Sequence, residues 1–140
     1  MKVRIKKLHP DAVIPTYAKH GDGAMDLRSV SVSHDYTNDY LEYDTGIIYE
    51  IPEGYIGLLL PRSSITNKNM VLKNSIGLID SGYRGSIKFR FIQVGGVNIY
   101  DIGDKVGQIL ILPYPQIELE EVEELSDSER NIGGFGSSGV

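Results

Sequence analysis

Asp80 is the strongest candidate for acid–base chemistry in this chain of 140 residues. It follows an apolar run and precedes a tight turn at Ser81 and Gly82, which would hold its carboxylate at the rim of a hairpin as a general base. The alternative, that these three residues only form a good hairpin turn, stays open.

A second group of polar residues, Arg62 to Ser64, ends an apolar strand. A guanidinium beside two hydroxyls and the start of a helix can bind an anion such as phosphate. Alternatively, Ser63 or Ser64 is simply the N-cap of that helix. Gln108 lies alone in an apolar stretch, where it could be an ordinary hydrogen-bonded amide of the barrel interior.

The last eleven residues, Arg130–Val140, contain many glycines and serines and cannot pack a core. Such a tail is usually a frayed terminus. However, glycines around Phe135 would let the backbone fold closely over a ligand and donate N–H groups to phosphate. The acidic stretch before the tail, residues 118–129, is typical of a solvated edge and linker.

Composition excludes several functional classes. The chain has no cysteine, so disulfides, thiolate metal sites and cysteine nucleophiles are ruled out. Its three histidines show no metal-ligand spacing. The formal net charge of −5 argues against a nucleic-acid-binding surface. The basic start of the chain reaches no apolar run, so it is not expected to be a signal peptide, and the apolar stretches are too short to span a membrane. We therefore expect a soluble, intracellular, cytoplasmic protein with neither nucleic-acid nor membrane partners.

The runs between the glycines and prolines are rich in β-branched and aromatic residues, which are typical of strands. Strands are predicted at residues 3–8, 46–51, 55–60, 86–92 and 105–112, with the second and third joined as a hairpin by the turn at residues 52–54. One short helix is expected between Ser63 and Met70. The predicted class is all-β, a sandwich or barrel of the jelly-roll kind, with a barrel domain over residues 1–125 and a flexible arm over 126–140.

Five segments in this order resemble the five motifs of the trimeric dUTPase family, and together they span nearly the whole chain. They are Gly23–Leu27, Pro61–Ser64, Gly77–Gly85, Gly103–Ile109 and Arg130–Gly139. The resemblance implies a jelly-roll subunit, a homotrimer with shared active sites, and hydrolysis of dUTP to dUMP and pyrophosphate with Mg²⁺. It also implies a role in limiting uracil in DNA and in supplying dUMP for thymidylate synthesis.

The resemblance also implies a role for individual residues. Asp80 would orient and deprotonate the attacking water, Asp26 would touch magnesium through its water shell, and Arg62 and Gln108 would contact the phosphates. The ring of Tyr83 would lie beneath the deoxyribose. The implied substrate-binding residues are Ser63, Ser64, Asn74, Gly77, Ile79, Tyr83, Arg130, Phe135, Gly136, Ser137 and Ser138.

The chain departs from the family pattern at a few positions. Met25 stands where an aromatic residue is more usual, Gly107 replaces a frequent alanine, Asn131–Ile132 a frequent glycine, and Ser138 a frequent threonine. Two other functions are considered. A related dCTP deaminase would need a glutamate in the pocket, and none lies between residues 53 and 118. A non-catalytic module would not need Asp80, Arg62 and Gln108.

Overall fold

The computed structural model describes residues 1–137 and 139, and its regular structure is nearly all strand. A 3₁₀ helix (Ser63–Asn67) is the short helix expected after the third strand. The strands are β1 (Arg4–Lys7), β2 (Met25–Arg28), β3 (Ser31–Asp35), β4 (Tyr40–Asp44), β5 (Ile47–Glu50), β6 (Tyr55–Leu60), β7 (Met70–Leu72), β8 (Gly77–Ile79), β9 (Lys88–Gln93) and β10 (Lys105–Pro113).

Two four-stranded antiparallel sheets enclose the core, with strand orders β2-β10-β6-β8 and β3-β4-β9-β7. A two-stranded ribbon, β1-β5, completes the barrel. This architecture confirms the predicted all-β jelly-roll class. Both sheets and the ribbon contribute large, fully buried side chains, among them Leu27, Tyr43, Ile47, Phe89, Phe91, Val106 and Ile109.

Alternation along β9 shows why the sequence folds in this way. Phe89 and Phe91 are buried, whereas Lys88 and Arg90 on the opposite face are exposed. Because successive side chains of a strand point to opposite faces, this pattern allows one face of the sheet to cover the core. The two cations then remain on the outer face, where they bind Glu42 of β4.

The predicted hairpin of β5 and β6 is wrong. A turn does exist at residues 52–54, where the Tyr55 N–H donates to the Pro52 carbonyl at 3.2 Å. However, β5 pairs with β1, whereas β6 pairs with β10 and β8. The turn therefore carries the chain from the ribbon to a four-stranded sheet, as connections in a jelly roll do.

The segment that contains Asp80 is also not a hairpin. β8, which precedes it, pairs with β6, and β9, which follows it, pairs with β4 and β7. The turn therefore connects the two sheets. The alternative role for Ser63 or Ser64 as a helix cap is also wrong, because Arg62 is the N-cap residue and no side chain caps the helix.

β10 ends at Pro113, and the segment from residue 114 to 130 contains no helix or strand. Its apolar residues Ile117, Leu119 and Leu125 are exposed. The boundary at residue 125 between barrel and arm stays a prediction. No helix within residues 1–137 and 139 is both long and apolar enough to span a membrane.

Candidate active site

Asp26, Arg62, Lys105 and Gln108 form one group of polar side chains, here called the Arg62 cluster. The first carboxylate oxygen of Asp26 accepts from Arg62 Nε at 2.6 Å, and the second lies 2.7 Å from Lys105 Nζ. The strand register places Gln108 opposite Asp26 on the neighbouring strand. The cluster therefore brings together three residues that the sequence motifs singled out far apart in the chain.

The two cations determine the ionisation of Asp26, whose side chain is only 18% exposed. Burial by itself would raise the pKa of this carboxyl. The hydrogen bonds from Lys105 and Arg62 outweigh burial, so the pKa of Asp26 lies below its ordinary value. Asp26 is thus a fixed anion at neutral pH and holds both cations in place.

Neighbouring groups hold the Arg62 side chain further. Its Nη1 donates to Ser64 Oγ at 3.2 Å, and that hydroxyl lies 3.1 Å from the hydroxyl of Tyr100, a buried residue. Gln108 Nε2 donates to the Pro61 carbonyl at 3.0 Å, just after β6. Ser63, by contrast, is exposed, so its hydroxyl is accessible to a ligand.

Residues 80–85 form a second feature, here called the Asp80 turn. The Tyr83 N–H donates to the Asp80 carbonyl at 3.1 Å and closes the turn, while the Asp80 side chain is exposed. The Tyr83 hydroxyl donates to the Ser86 carbonyl at 3.1 Å. A Cβ at residue 85 would lie 2.2 Å from that hydroxyl, so the Tyr83 ring can occupy its place only when residue 85 is glycine.

A cavity of about 620 Å³ adjoins the Asp80 turn. Three predicted substrate-binding residues, Asn74, Ile79 and Tyr83, line it together, and Gly77 is buried in β8 next to Leu59. The lining residues are Asn38, Tyr40, Lys73, Asn74, Ile79, Tyr83, Ser86, Lys88 and Arg90. This lining combines apolar, aromatic and amide groups with three cations, Lys73, Lys88 and Arg90, and the volume of the cavity suits a nucleoside-sized ligand.

The Arg62 cluster and the Asp80 turn lie at opposite ends of β6. Ile79 pairs with Gly57 near the start of that strand, whereas Gln108 pairs with Leu60 at its end. Asp80 follows Ile79 at one end of β6, and Arg62 lies two residues after Leu60 at the other end. The two residues are therefore separated by a length of about six residues along the strand, or roughly 20 Å. A single chain therefore does not bring the two features to one phosphate group.

Among the described residues, the predicted arm makes no hydrogen bond or ion pair with either feature. Arg130 Nε donates to the Gly133 carbonyl within the arm at 3.0 Å. The Phe135 side chain is fully exposed, and Gly136 and Ser137 are exposed beside it. Ser138 lies outside the described residues.

A family model described as dUTPase matches residues 11–139. The chain belongs to the dUTPase family. The deoxyuridine 5'-triphosphate nucleotidohydrolase of Hydrogenobaculum sp. (strain Y04AAS1) is 38% identical over 143 residues, which cover 100% of this chain and 99% of that protein. The resemblance drawn from the five motifs is therefore confirmed, and the activity is that of a dUTP diphosphatase.

Two solved structures support the same assignment. The dUTPase of Staphylococcus bacteriophage 80alpha with dUPNHPP is 26% identical, with a TM-score of 0.85 and 99% of each chain covered. A mutant dUTPase from phage phi11 of S. aureus is 25% identical, with a TM-score of 0.74 and 89% and 98% of the two chains covered. The phi11 structure is described as showing the coordination of a structural Mg(II) ion.

Within the dUTPase fold, the structure explains the departure at Gly107. A Cβ at this position would lie 2.1 Å from the ring of Phe89, which is 1% exposed in the core. The aromatic ring thus fills the space that an alanine methyl group would need. The unusual glycine is therefore matched to its neighbour in the opposite sheet.

Sequence reasoning missed Lys105 and Tyr100 as parts of the site. Lys105 lies within the fourth motif, but β10 has a register shift between Lys105 and Gly107. Such a bulge changes the direction in which the preceding side chains point. Simple alternation therefore gave no signal that Lys105 reaches Asp26.

Asp26 is the one carboxylate of the Arg62 cluster, and its two oxygens contact Arg62 and Lys105, so a magnesium ion would meet it only through coordinated water. Among the described residues, no group of three or more His, Cys, Asp or Glu side chains could hold a metal. Mg²⁺ commonly keeps several waters and binds through one or two carboxylates together with substrate phosphates. The single carboxylate of Asp26 in the Arg62 cluster is consistent with that mode.

Proposed function

We propose that this dUTPase hydrolyses dUTP by attack of water on the α-phosphorus, with Asp80 as the general base. The water oxygen bonds to phosphorus, the bond to the bridging oxygen of the β-phosphate breaks, and pyrophosphate leaves. The proton of the water passes to the Asp80 carboxylate. The exposed carboxylate on a closed turn, next to the cavity of Tyr83, supports this role.

The proposed charge stabilisation comes from the Arg62 cluster. Arg62 and Gln108 would bind the phosphate oxygens, with Ser63 as a further hydroxyl donor, because guanidinium–phosphate hydrogen bonds are strong and directional. When bound, Mg²⁺ would neutralise charge on the triphosphate. Asp26 would contact its water shell.

The separation of the Arg62 cluster from the Asp80 turn is the observation that carries the proposed assembly. Since roughly 20 Å of β6 separates them in one chain, the phosphate contacts must come from another copy. We therefore propose a homotrimer with shared sites. One subunit would supply the Asp80 turn, another the Arg62 cluster, and a third the arm with Arg130 and Phe135.

The cavity beside the Asp80 turn would select the base and the sugar. Uracil presents an N3 donor and an O4 acceptor, and cytosine reverses this pattern. Backbone groups near Ile79, helped by Asn74, would be left unpaired against cytosine, at about 1–3 kcal/mol per group. The Tyr83 ring would crowd a ribose 2′-hydroxyl, and thymine's methyl group would meet the backbone.

The test is pyrophosphate release from dUTP, UTP, dCTP and dTTP, together with ammonia release from dCTP. Orders-of-magnitude preference for dUTP is expected, whereas ammonia release would favour the deaminase. Glu42 is the glutamate to examine in that case, because it contacts the cavity residues Lys88 and Arg90, each at 2.8 Å. Both its oxygens are thereby engaged, which disfavours a proton-shuttle role.

Light scattering tests the assembly, and a mass three times that of the 15.5 kDa chain is expected. A fully active monomer would contradict the shared site. In a cell, the reaction would limit the dUTP available to DNA synthesis and supply dUMP for thymidylate synthesis. The cytoplasmic location stays a prediction.

A further inference from the structure

Arg84 lies within the Asp80 turn but is not one of the proposed catalytic or substrate-binding residues. Its Nη1 donates to the Ser81 carbonyl at 2.7 Å and to the Tyr83 carbonyl at 3.0 Å. These two carbonyls flank Gly82, and glycine restricts the backbone less than any other residue. One guanidinium nitrogen therefore holds together the peptide segment between the proposed base and the proposed sugar-binding ring.

The same side chain also connects the turn to the β1-β5 ribbon. Arg84 Nη2 lies 3.8 Å from Glu50 Oε1, the last residue of β5, and that oxygen also accepts from Arg4 of β1 at 2.5 Å. The ribbon in turn is hydrogen-bonded from Arg4 to Lys7. The Asp80 turn thus has an anchor on a third sheet, in addition to the strands that enter and leave it.

We propose that Arg84 is a positioning residue that sets the Asp80 turn for catalysis, with Glu50 as its anchor. The proposal rests on the proposed function of Asp80 and Tyr83. Because displacement of a reacting group by about 1 Å can cost about 10²-fold in rate, a flexible turn on the surface needs such a restraint. In this proposal Arg84 acts through Asp80 and Tyr83, because its observed partners are backbone carbonyls of the turn and Glu50.

A residue that only restrains the turn affects the kinetic parameters, whereas a residue that contributes to folding also affects the melting temperature. The Arg84 side chain is 52% exposed, and exposed ion pairs contribute little to stability. Loss of the restraint should move Asp80 and Tyr83 together. The turnover number and the preference for dUTP over UTP should therefore fall together, while the melting temperature stays unchanged.

The experiment measures kcat, KM and melting temperature for Arg84→Gln with dUTP and UTP. We expect kcat for dUTP to fall roughly 10- to 100-fold, with a smaller change in KM, a narrower dUTP/UTP ratio and an unchanged melting temperature. Arg28→Gln is the matched control, because it removes the same charge and an arginine–carbonyl bond, Arg28 Nη1 to Gly103 at 2.8 Å, outside the turn.

Two further variants keep the proposal falsifiable if Arg84→Gln is unstable. Arg84→Lys keeps the charge but lacks the planar fork, so its kcat should lie between those of Arg84→Gln and the unmodified protein. Glu50→Gln removes the anchoring charge together with the ion pair to Arg4, but it leaves the bonds of Arg84 within the turn, so it should give a smaller kcat loss than Arg84→Gln.

The proposal is overturned if Arg84→Gln matches Arg28→Gln in kcat and in the dUTP/UTP ratio. It is also overturned if loss of activity follows only loss of stability and affects both nucleotides equally. If the unmodified protein does not hydrolyse dUTP, the proposed function fails first. The two failures are therefore distinguishable.

Discussion

The Asp80 turn and the Arg62 cluster are held in place in contrasting ways. The cluster is half-buried and rests on side-chain ion pairs between strands, with Asp26 bound by both Arg62 and Lys105. The turn is exposed and rests mainly on bonds to its own backbone carbonyls. In the proposed roles, the cations of the cluster need strong fixation against mutual repulsion when they bind phosphate, whereas the proposed base must stay accessible to water.

This contrast predicts that the turn can lose activity without losing stability. Asp80→Asn keeps the size and polarity of the side chain but removes the base, so kcat should fall about 10²- to 10⁴-fold. Nucleotide affinity and melting temperature should stay nearly unchanged because Asp80 is exposed. Steady-state kinetics and isothermal titration check this, and near-normal turnover would refute the assignment of the base.

The arm, like the Asp80 turn, should be able to lose activity without losing stability. A chain ended after Glu129 should melt as the full-length protein does, because Phe135 contributes no buried surface. Its turnover should fall, since base–aromatic stacking is worth about 1–3 kcal/mol in single-strand binding proteins, which is roughly 5- to 150-fold. Phe135→Ala should show part of the loss. Equal rates for truncated and full-length protein would mean a frayed terminus.

The core behind the Arg62 cluster should show the opposite behaviour, with stability lost first. Gly107→Ala places a methyl group against the ring of Phe89, and overpacking of this kind costs about 1–3 kcal/mol. Phe89→Leu makes room for the methyl group, so the double variant should lose less than the sum of the two single losses. Urea unfolding of the four proteins measures this coupling, and simple additivity would count against the paired fit.

A smaller effect concerns acid stability of the cluster. The folded-state pKa of Asp26 is lowered, so its ion pairs stabilise the protein above the ordinary carboxyl pKa of about 3.9. That stability is lost as the pH falls through the lowered folded-state value. The difference in unfolding free energy between the unmodified protein and Asp26→Asn should therefore shrink below about pH 4. A difference independent of pH would show that ionisation of Asp26 is not what stabilises the cluster.

The sequence determined the local features of this molecule. Sequence patterns identified five of the ten strands, namely β1, β5, β6, β9 and β10, with β6 at its observed bounds. Polar and apolar residues alternate along β1 and β9, because burial of one face needs a period of two. The order of the five motifs determined the family, and the residues after Ile79 determined a tight turn. The roles of individual side chains stay proposals, since they depend on substrate and on other subunits.

Only the tertiary structure decided which strands pair and which charges meet. A turn at Pro52–Gly54 is encoded locally, but the choice of β1 as the partner of β5 depends on packing across the whole barrel. Likewise, the bulge in β10 brings Lys105 to Asp26, and the Phe89 ring explains Gly107. These contacts join residues that are far apart in the chain. A local sequence pattern therefore specifies which interactions a residue is able to make, but not which distant residue it contacts.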